Sequence, residues 1–402
     1  MARRRRFAPT AGVPIEGTLE MPREHQITIF DRMEKLARRA EESDPRGPAT
    51  ALCFITLALL GFGLLIQASH AATTGSPELL MDELVSQAWF RLGGVALLLG
   101  MARLGPSGLR RFVPALTVLA GLMLIAVFVP PFGVERNGSN RWIGLFGRTF
   151  QPSELARVAI VLWIADRCVR LGPLVRDGRR GLGPMLALVL TFFTLILAET
   201  DLGGALLFLM CALATMWVGG ARWLHVFGSL GTAAAGAMLV AIAAVPYIQR
   251  RVEMFLGHQT NQQVEKSLEA VGRGDLMGVG LGAGTARNSG VPYLDSDFVF
   301  AQVGEELGLF GLFCLLGLYA AFVWSALRLV LSLENRFEAL AAFGLLVSVS
   351  LQAMLHAQIV SGLAPPKGMT LPLVSDGGTS LLVTCLAIGL ALGTARTHAK
   401  SP

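Results

Sequence analysis

The chain has 402 residues, of which 53% are hydrophobic and only 15% are charged. Together with a mean hydropathy of +0.57, this composition is typical of a protein with many membrane-spanning helices and excludes an ordinary soluble enzyme. The net charge of +6 reflects a bias of Lys and Arg toward one membrane face, so we expect membrane lipids and no nucleic acid among its partners.

The hydrophobic pattern predicts an all-α polytopic membrane protein of about ten transmembrane helices, since each span needs roughly 20 mostly apolar residues. The predicted spans are 48–69, 89–104, 112–130, 152–170, 183–199, 202–220, 224–247, 299–327, 338–361 and 380–395. Thr200 and Asp201 separate the fifth and sixth spans and are predicted to form a tight turn. The large loop 248–297 separates the seventh and eighth spans.

The distribution of Lys and Arg predicts the orientation. They concentrate in the N-terminal tail, after spans two, four, six and eight, and at the C-terminus, whereas residues 70–88 contain no Lys or Arg. The positive-inside rule therefore predicts a multi-pass plasma membrane protein with both termini cytoplasmic. We expect a cytoplasmic tail over 1–46, a membrane domain over 47–396 and a short cytoplasmic tail over 397–402.

The N-terminal tail shows no cleavable signal peptide, because its arginines are followed by polar residues rather than by an apolar stretch. Residues 27–42 place apolar side chains on one helical face. This pattern fits either a helix on the inner membrane surface or a soluble or disordered tail.

Two predicted outer loops break the charge pattern. Loop 131–150 carries Arg136, Arg141 and Arg148, and the large loop 248–297 also carries several cations. Excess positive charge on the outer face indicates an anionic ligand such as a phosphate or pyrophosphate. For the large loop alone, the general tolerance of charge in long loops explains the cations equally well.

Polar residues also occur within two predicted spans. Glu154 and Arg157 lie one helical turn apart at the start of span four, so they can form an ion pair. His356 and Gln352 are one turn apart inside span nine, where a hydrogen-bonded polar group in a helix bundle is the simpler interpretation.

Four acidic residues, Asp295, Asp297, Glu305 and Glu306, lie at the entrance to the eighth span in the sequence DSDFVFAQVGEELGLFG. Carboxylates at the edge of a bilayer are costly. This stretch is therefore the first candidate for chemistry.

Four segments together resemble the SEDS family of cell-wall polymerases, which includes FtsW, RodA and SpoVE. They are NGSNRWIGLFGRTFQPSELAR (137–157), ETDLGGALL (199–207), the run from SLEAVGRGDLMGVGLGAGT to DSDFVFAQVGEELGLFG (267–311) and GLAPPKGMTLPLVSDGGTSLL (362–382). One such segment would be weak, but four in the family's order, covering roughly residues 48–395, indicate a SEDS-type fold.

The resemblance implies a peptidoglycan glycosyltransferase that polymerises lipid II at the outer face of the plasma membrane. Asp297 matches the family's essential aspartate, which would act as general base for an inverting attack on the anomeric carbon. Undecaprenyl diphosphate would leave, and nearby cations would stabilise its developing charge. The expected substrate-binding residues are Arg141, Arg148, Lys367, Glu154, Arg157, Ser375, Gly377 and Gly378. Asp295, Glu305, Glu306 and Asp201 are expected to support them.

The chain departs from the family pattern at Asp295, Asp376 and His356, where the family usually has His, Tyr and Asn. Asp295 and Asp297 stand at i and i+2, so in an extended chain their carboxylates face the same way. Such a pair would raise one pKa or share a divalent cation near Asp297, with Mg²⁺ or Mn²⁺ as the candidates.

Lys367, in the sequence PPKGMTLP, resembles the division-type pattern of the family and favours an FtsW-like role in septal wall synthesis at the division site. The resemblance then implies a class B penicillin-binding protein, a transpeptidase, and other divisome proteins as partners. The alternatives are a RodA-like elongation polymerase, a lipid II flippase, or a scaffold that activates its partner without catalysis.

Overall fold

The computed structural model describes residues 44–72, 77–136, 139–145, 148–222, 224, 226–244, 249, 253, 262–286, 293–364 and 368–397. The helix predicted over 27–42 lies outside these ranges, and so does Lys367.

Helices dominate the described chain. In order they are α1 (Arg46–Ala72), α2 (Pro77–Leu109), α3 (Val113–Ala126), α4 (Pro152–Leu171), α5 (Gly183–Ala198), α6 (Leu202–Val218), α7 (Gly231–Ala244), α8 (Gln262–Gly274), α9 (Val299–Leu331), α10 (Arg336–Val360) and α11 (Gly378–Thr397). Short 3₁₀ segments occupy Arg110–Phe112 and Gly172–Arg176, and π-helical turns occupy Gly178–Leu182 and Val226–Leu230.

Every predicted span overlaps one of these helices. By length and composition, the described stretches able to cross a membrane are Arg46–Ala72, Met81–Ala126, Gly178–Ala198, Val299–Leu331, Arg336–Val360 and Gly378–Arg396. The prediction of a polytopic α-helical membrane protein is confirmed.

The second and third predicted spans follow each other with only a short 3₁₀ segment, Arg110–Phe112, between α2 and α3. The helical path is interrupted at Gly105, whose φ of 65° is in the left-handed region, and Pro106 follows it. A Cβ at Gly393 of α11 would lie 2.6 Å from the Gly105 Cα. The kink therefore coincides with a close approach of two backbones that only small residues permit.

Helix α4 is the least apolar of the predicted spans because it carries Glu154, Arg157, Asp166, Arg167 and Arg170. Most of its remaining side chains are buried among α3, α6 and α10. A helix in the interior of a bundle can hold charged groups that pair with neighbouring helices. Asp166, for example, binds Arg110 at 2.8 Å and Arg170 at 2.7 Å.

The described helices pack around two buried apolar clusters. One joins α3 to α6 with α10 and contains Phe193, Phe208 and Phe337. The other joins α1, α9, α10 and α11 and contains Leu59 and Phe322. The two clusters meet along α10 and α11, which therefore form the centre of the bundle.

A three-stranded antiparallel sheet lies between α3 and α4 and was not predicted. Its strands are β1 (Gly133–Arg136), β2 (Ser139–Leu145) and β3 (Arg148–Phe150), in the order β1-β2-β3. The Ser139 hydroxyl donates to the Glu199 carbonyl at 2.9 Å, and the Thr379 hydroxyl donates to the Thr149 carbonyl at 3.0 Å. The sheet therefore covers one end of the bundle, which we call the sheet side.

Candidate functional site

A cavity of about 1130 Å³ lies at the sheet side. Its walls come from the sheet, the N-terminal ends of α4, α6 and α11, the turn before α9 and the segment after α10. The predicted site residues that line it are Asp297, Arg141, Glu154, Arg157, Gly377, Gly378, Asp295 and Asp201. Four segments that are distant in the sequence thus converge on one space.

Asp297 lies in the turn that precedes α9, where its backbone N–H donates to the Tyr293 carbonyl at 2.9 Å. Its carboxylate is next to Gly368. A Cβ at Gly368 would lie 3.0 Å from Asp297 Oδ2 and 3.6 Å from a guanidinium nitrogen of Arg141. An acid and a cation therefore face the same small gap, which the lack of a side chain at Gly368 keeps open.

Arg141 projects from β2 into the cavity. Its guanidinium lies 4.4 Å above the Trp142 ring and 3.8 Å from the Asp201 carboxylate. Its buried Nε has no hydrogen-bond partner among the described residues. Because its ion pair is long and some of its donors are uncommitted, Arg141 can bind an anion that enters the cavity.

Asp201 supports this arrangement from the start of α6. Its carboxylate accepts hydrogen bonds from the Gly204 N–H at 2.8 Å and from the Gln151 side chain at 2.9 Å. Asp201 therefore caps α6 and fixes the chain just before α4.

Glu199 is a buried acid that lies next to the predicted Thr200-Asp201 turn and was not among the predicted site residues. It is fully buried, and neither carboxylate oxygen has a hydrogen-bond partner among the described residues. Burial raises the pKa of Glu199 to about 9, with a further increase from the charge of Asp201 and an opposing effect of Arg141. Glu199 is therefore protonated at neutral pH.

The predicted Glu154–Arg157 pair is confirmed, with 2.6 Å between the guanidinium and the carboxylate. Arg157 also donates to the Gln352 side-chain oxygen at 2.9 Å, and the Gln352 amide donates to the Thr370 carbonyl at 3.0 Å. This buried chain of polar groups connects α4, α10 and the segment before α11.

His356 lies behind this chain and fits the simpler interpretation only in part, because its buried Nε2 has no hydrogen-bond partner among the described residues. It is fully buried, and its Nδ1 is 2.7 Å from the Met369 carbonyl. It holds the segment that carries Gly368 against α10.

Ser375 occupies a different position from the one expected of a substrate-binding residue. Its hydroxyl donates to the Ser296 carbonyl at 2.6 Å and accepts from the Leu371 N–H at 2.8 Å. Ser375 is buried, so it positions the turn that carries Asp297 instead of lining the cavity.

Asp376, the residue after Ser375, donates its backbone N–H to the Asp295 carbonyl at 3.0 Å. Burial raises the pKa of the Asp376 carboxyl, and a hydrogen bond from Gln87 lowers it. The negative charge of Asp295 raises this pKa further, whereas the positive charge of Arg91 lowers it.

Glu305 and Glu306 lie outside the cavity. Glu305 accepts hydrogen bonds from the Thr285 N–H at 2.9 Å and the Ala286 N–H at 3.0 Å. Glu306 accepts from the Ser69 hydroxyl at 2.5 Å. The two acids attach the glycine-rich segment before Ala286 to α9 and α1, which is a structural role.

Two predicted site residues cannot be placed. Arg148 begins β3, but its side chain falls outside the described part of the structure, and so does the whole of Lys367.

Comparison with known proteins gives consistent matches. The sequence model of a family described as cell cycle protein, covering FtsW, RodA and SpoVE, matches residues 49–400. A probable peptidoglycan glycosyltransferase FtsW of Alkalilimnicola ehrlichii is 34% identical over 87% of this chain and 90% of its own length. The stage V sporulation protein E of Bacillus subtilis is 30% identical over 87% of this chain and 97% of its own length.

Solved structures with the same fold are also known. The rod shape determining protein RodA of Thermus thermophilus superposes with a TM-score of 0.64 at 26% identity, over 87% of this chain and 97% of its own. A second solved chain belongs to a structure described as "Structural coordination of polymerization and crosslinking by a peptidoglycan synthase complex". It superposes with a TM-score of 0.72 at 26% identity, over 87% of this chain and 98% of its own.

Proposed function

Because the chain belongs to the FtsW, RodA and SpoVE family of cell cycle proteins, we propose that it is a peptidoglycan glycosyltransferase that polymerises lipid II. The relative from Alkalilimnicola ehrlichii carries the name of this activity. In this proposal the sheet side faces the outside of the plasma membrane, and both termini are cytoplasmic.

The observation that carries the proposal is the convergence of Asp297 and Arg141 on Gly368 inside the cavity. A carboxylate and a guanidinium that both lie within 4 Å of one point beside Gly368 match the two charges that this reaction needs. One accepts a proton, and the other binds a diphosphate.

In the proposed reaction, Asp297 accepts the proton of the attacking sugar hydroxyl as its oxygen bonds to the donor's anomeric carbon. The bond from that carbon to the diphosphate oxygen breaks, and undecaprenyl diphosphate leaves with the bonding electrons. A direct displacement of this kind inverts the anomeric centre and needs no covalent intermediate. Arg141 would stabilise the charge that develops on the leaving oxygen, and Arg148 and Lys367 remain candidates for the same task.

We further propose an FtsW-like role in septal wall synthesis, which rests on the position of Lys367 in the sequence PPKGMTLP. The partner would be a class B penicillin-binding protein with transpeptidase activity, alongside other divisome proteins. One structural neighbour comes from a peptidoglycan synthase complex that couples polymerization and crosslinking, which supports this expectation.

The test uses the full chain, purified with its transpeptidase partner and supplied with fluorescent lipid II. We expect glycan polymer that is resolved as a ladder on a gel. If no polymer forms but lipid II crosses the bilayer of proteoliposomes that contain the chain, the proposal is wrong and the chain is a flippase.

A further inference from the structure

Three potential metal ligands meet at the sheet side, beside the turn that carries Asp297. His70 lies near the end of α1, Glu83 near the start of α2, and Asp295 in the turn before α9. Each offers one ligand atom, and these atoms all lie within 4.8 Å of one another. Among the described residues, this is the one group of three or more His, Cys, Asp and Glu side chains that comes so close together.

We propose that His70, Glu83 and Asp295 bind a divalent cation. Ligands at metal bonds of about 2.1 Å lie roughly 3.0–3.4 Å apart, so atoms that are now up to 4.8 Å apart would each need to move inward by up to about 1 Å. These are shifts that side-chain rotation can supply. Three protein ligands leave positions on the cation for water or for an anionic ligand.

The donor set indicates which cation binds. One imidazole nitrogen and two carboxylate oxygens suit Mn²⁺ or Zn²⁺ better than Mg²⁺ or Ca²⁺, which prefer oxygen ligands alone. This changes the expectation from the sequence, which placed Mg²⁺ or Mn²⁺ between Asp295 and Asp297. In the structure Asp295 groups with His70 and Glu83, while Asp297 lies against Gly368.

The group is held in place from several sides. The Asp295 carbonyl accepts hydrogen bonds from the Gln67 side chain at 2.8 Å and from the Asp376 N–H at 3.0 Å. His70 is only 6% exposed. Backbone anchors and burial restrict the motion of the ligands, which lowers the entropy cost of binding a cation.

The number of carboxyl groups around Asp295 gives a second reason for a cation. Asp376 lines the same cavity as Asp295 and is hydrogen-bonded to it through its backbone. Carboxylates gathered in a partly buried region are stabilised when a metal ion is bound among them. A cation there would also tie the ends of α1 and α2 to the segment that holds Asp297.

Both Asp295 and Asp297 line the cavity, so the cation would lie in the cavity wall. It would add positive charge where a diphosphate binds, and this catalytic consequence rests on the proposed function. The binding of the cation itself does not.

The test uses the full chain in lipid nanodiscs, treated with a chelator and then titrated with Mn²⁺ while electron paramagnetic resonance reports free Mn²⁺. We expect saturable binding of one Mn²⁺ per chain. His70→Asn, Glu83→Gln and Asp295→Asn should each weaken it at least about 10-fold. Asp82→Asn is the matched control, because Asp82 is adjacent to Glu83 but exposed, and it should bind Mn²⁺ as the wild type does.

A second readout does not depend on the stability of the variants. Bound Mn²⁺ in the wild-type chain should show hyperfine coupling to an imidazole nitrogen, and Mg²⁺ should displace it at least about 10-fold less effectively than Zn²⁺ does. The absence of saturable binding, or of nitrogen coupling, would overturn the proposal. A loss of binding in Asp297→Asn with full binding in Glu83→Gln would instead place the cation between Asp295 and Asp297. Mn²⁺ binding without lipid II polymerisation would contradict the proposed function and leave the cation site standing.

Discussion

Gly368 keeps open the gap between the proposed base, Asp297, and the guanidinium of Arg141. The substitution Gly368→Ala therefore tests the geometry of the site. The new Cβ would lie 3.0 Å from Asp297 Oδ2, whereas ordinary contacts begin at 3.4 Å. The carboxylate must therefore move by about 0.4 Å. Since a misplacement of 1 Å at a reacting group costs about 100-fold, we expect a decrease in turnover of ~6-fold, or ~1 kcal/mol of barrier.

The assay is the initial rate of lipid II polymerisation at saturating substrate. Gly317→Ala is the matched control, because Gly317 is in α9 and a Cβ there would meet nothing within 4 Å. It should retain wild-type turnover. Wild-type turnover by Gly368→Ala, or an equal decrease in both variants, would refute the inference that this gap sets the position of Asp297.

Two further predictions concern stability. The pKa of Glu199 is about 9 in the folded chain and near 4.5 in the unfolded chain. Between these pH values the folded state binds more protons than the unfolded state does. The free energy of unfolding therefore decreases as pH rises, by up to ~1.4 kcal/mol per pH unit. Glu199→Gln should flatten this dependence in thermal unfolding between about pH 5 and 9, and an unchanged slope would contradict the assignment. Arg157→Met should cost about 3 kcal/mol because it leaves Glu154, whose side chain is only 12% exposed, unpaired. If the free energy of unfolding in detergent decreases by less than about 1 kcal/mol, the Glu154–Arg157 ion pair is solvated and the reasoning is wrong.

Much of the fold follows from the sequence because hydrophobicity and length determine where helices can cross a membrane. The sheet was missed because its strands are short and its region was interpreted only as a motif. The dipeptide Asn137-Gly138, which links β1 to β2, is a strong hairpin signal and could have revealed the first two strands.

The convergence of the site could be predicted only in part. The order of the four segments predicted which chain regions form the cavity. The sequence could not indicate which side chains meet, because Arg157 and Gln352 are 195 residues apart and their contact depends on helix packing. For the same reason His70 gave no signal as a neighbour of Asp295. Ser375 was expected to bind substrate, whereas its hydroxyl bonds the Ser296 carbonyl and the Leu371 N–H, because a hydroxyl in a motif can bind backbone as readily as substrate.

The central claim is that Asp297 is the base of a lipid II polymerase. The direct measurement compares polymerisation rates of the wild type, Asp297→Asn and Asp275→Asn in the same partner complex. Asp275 is exposed, and Asn tolerates its positive φ of 47°. We predict a decrease of about 10²-fold to 10⁴-fold for Asp297→Asn and wild-type rates for Asp275→Asn. Wild-type polymerisation by Asp297→Asn, with the variant correctly folded, would contradict the account.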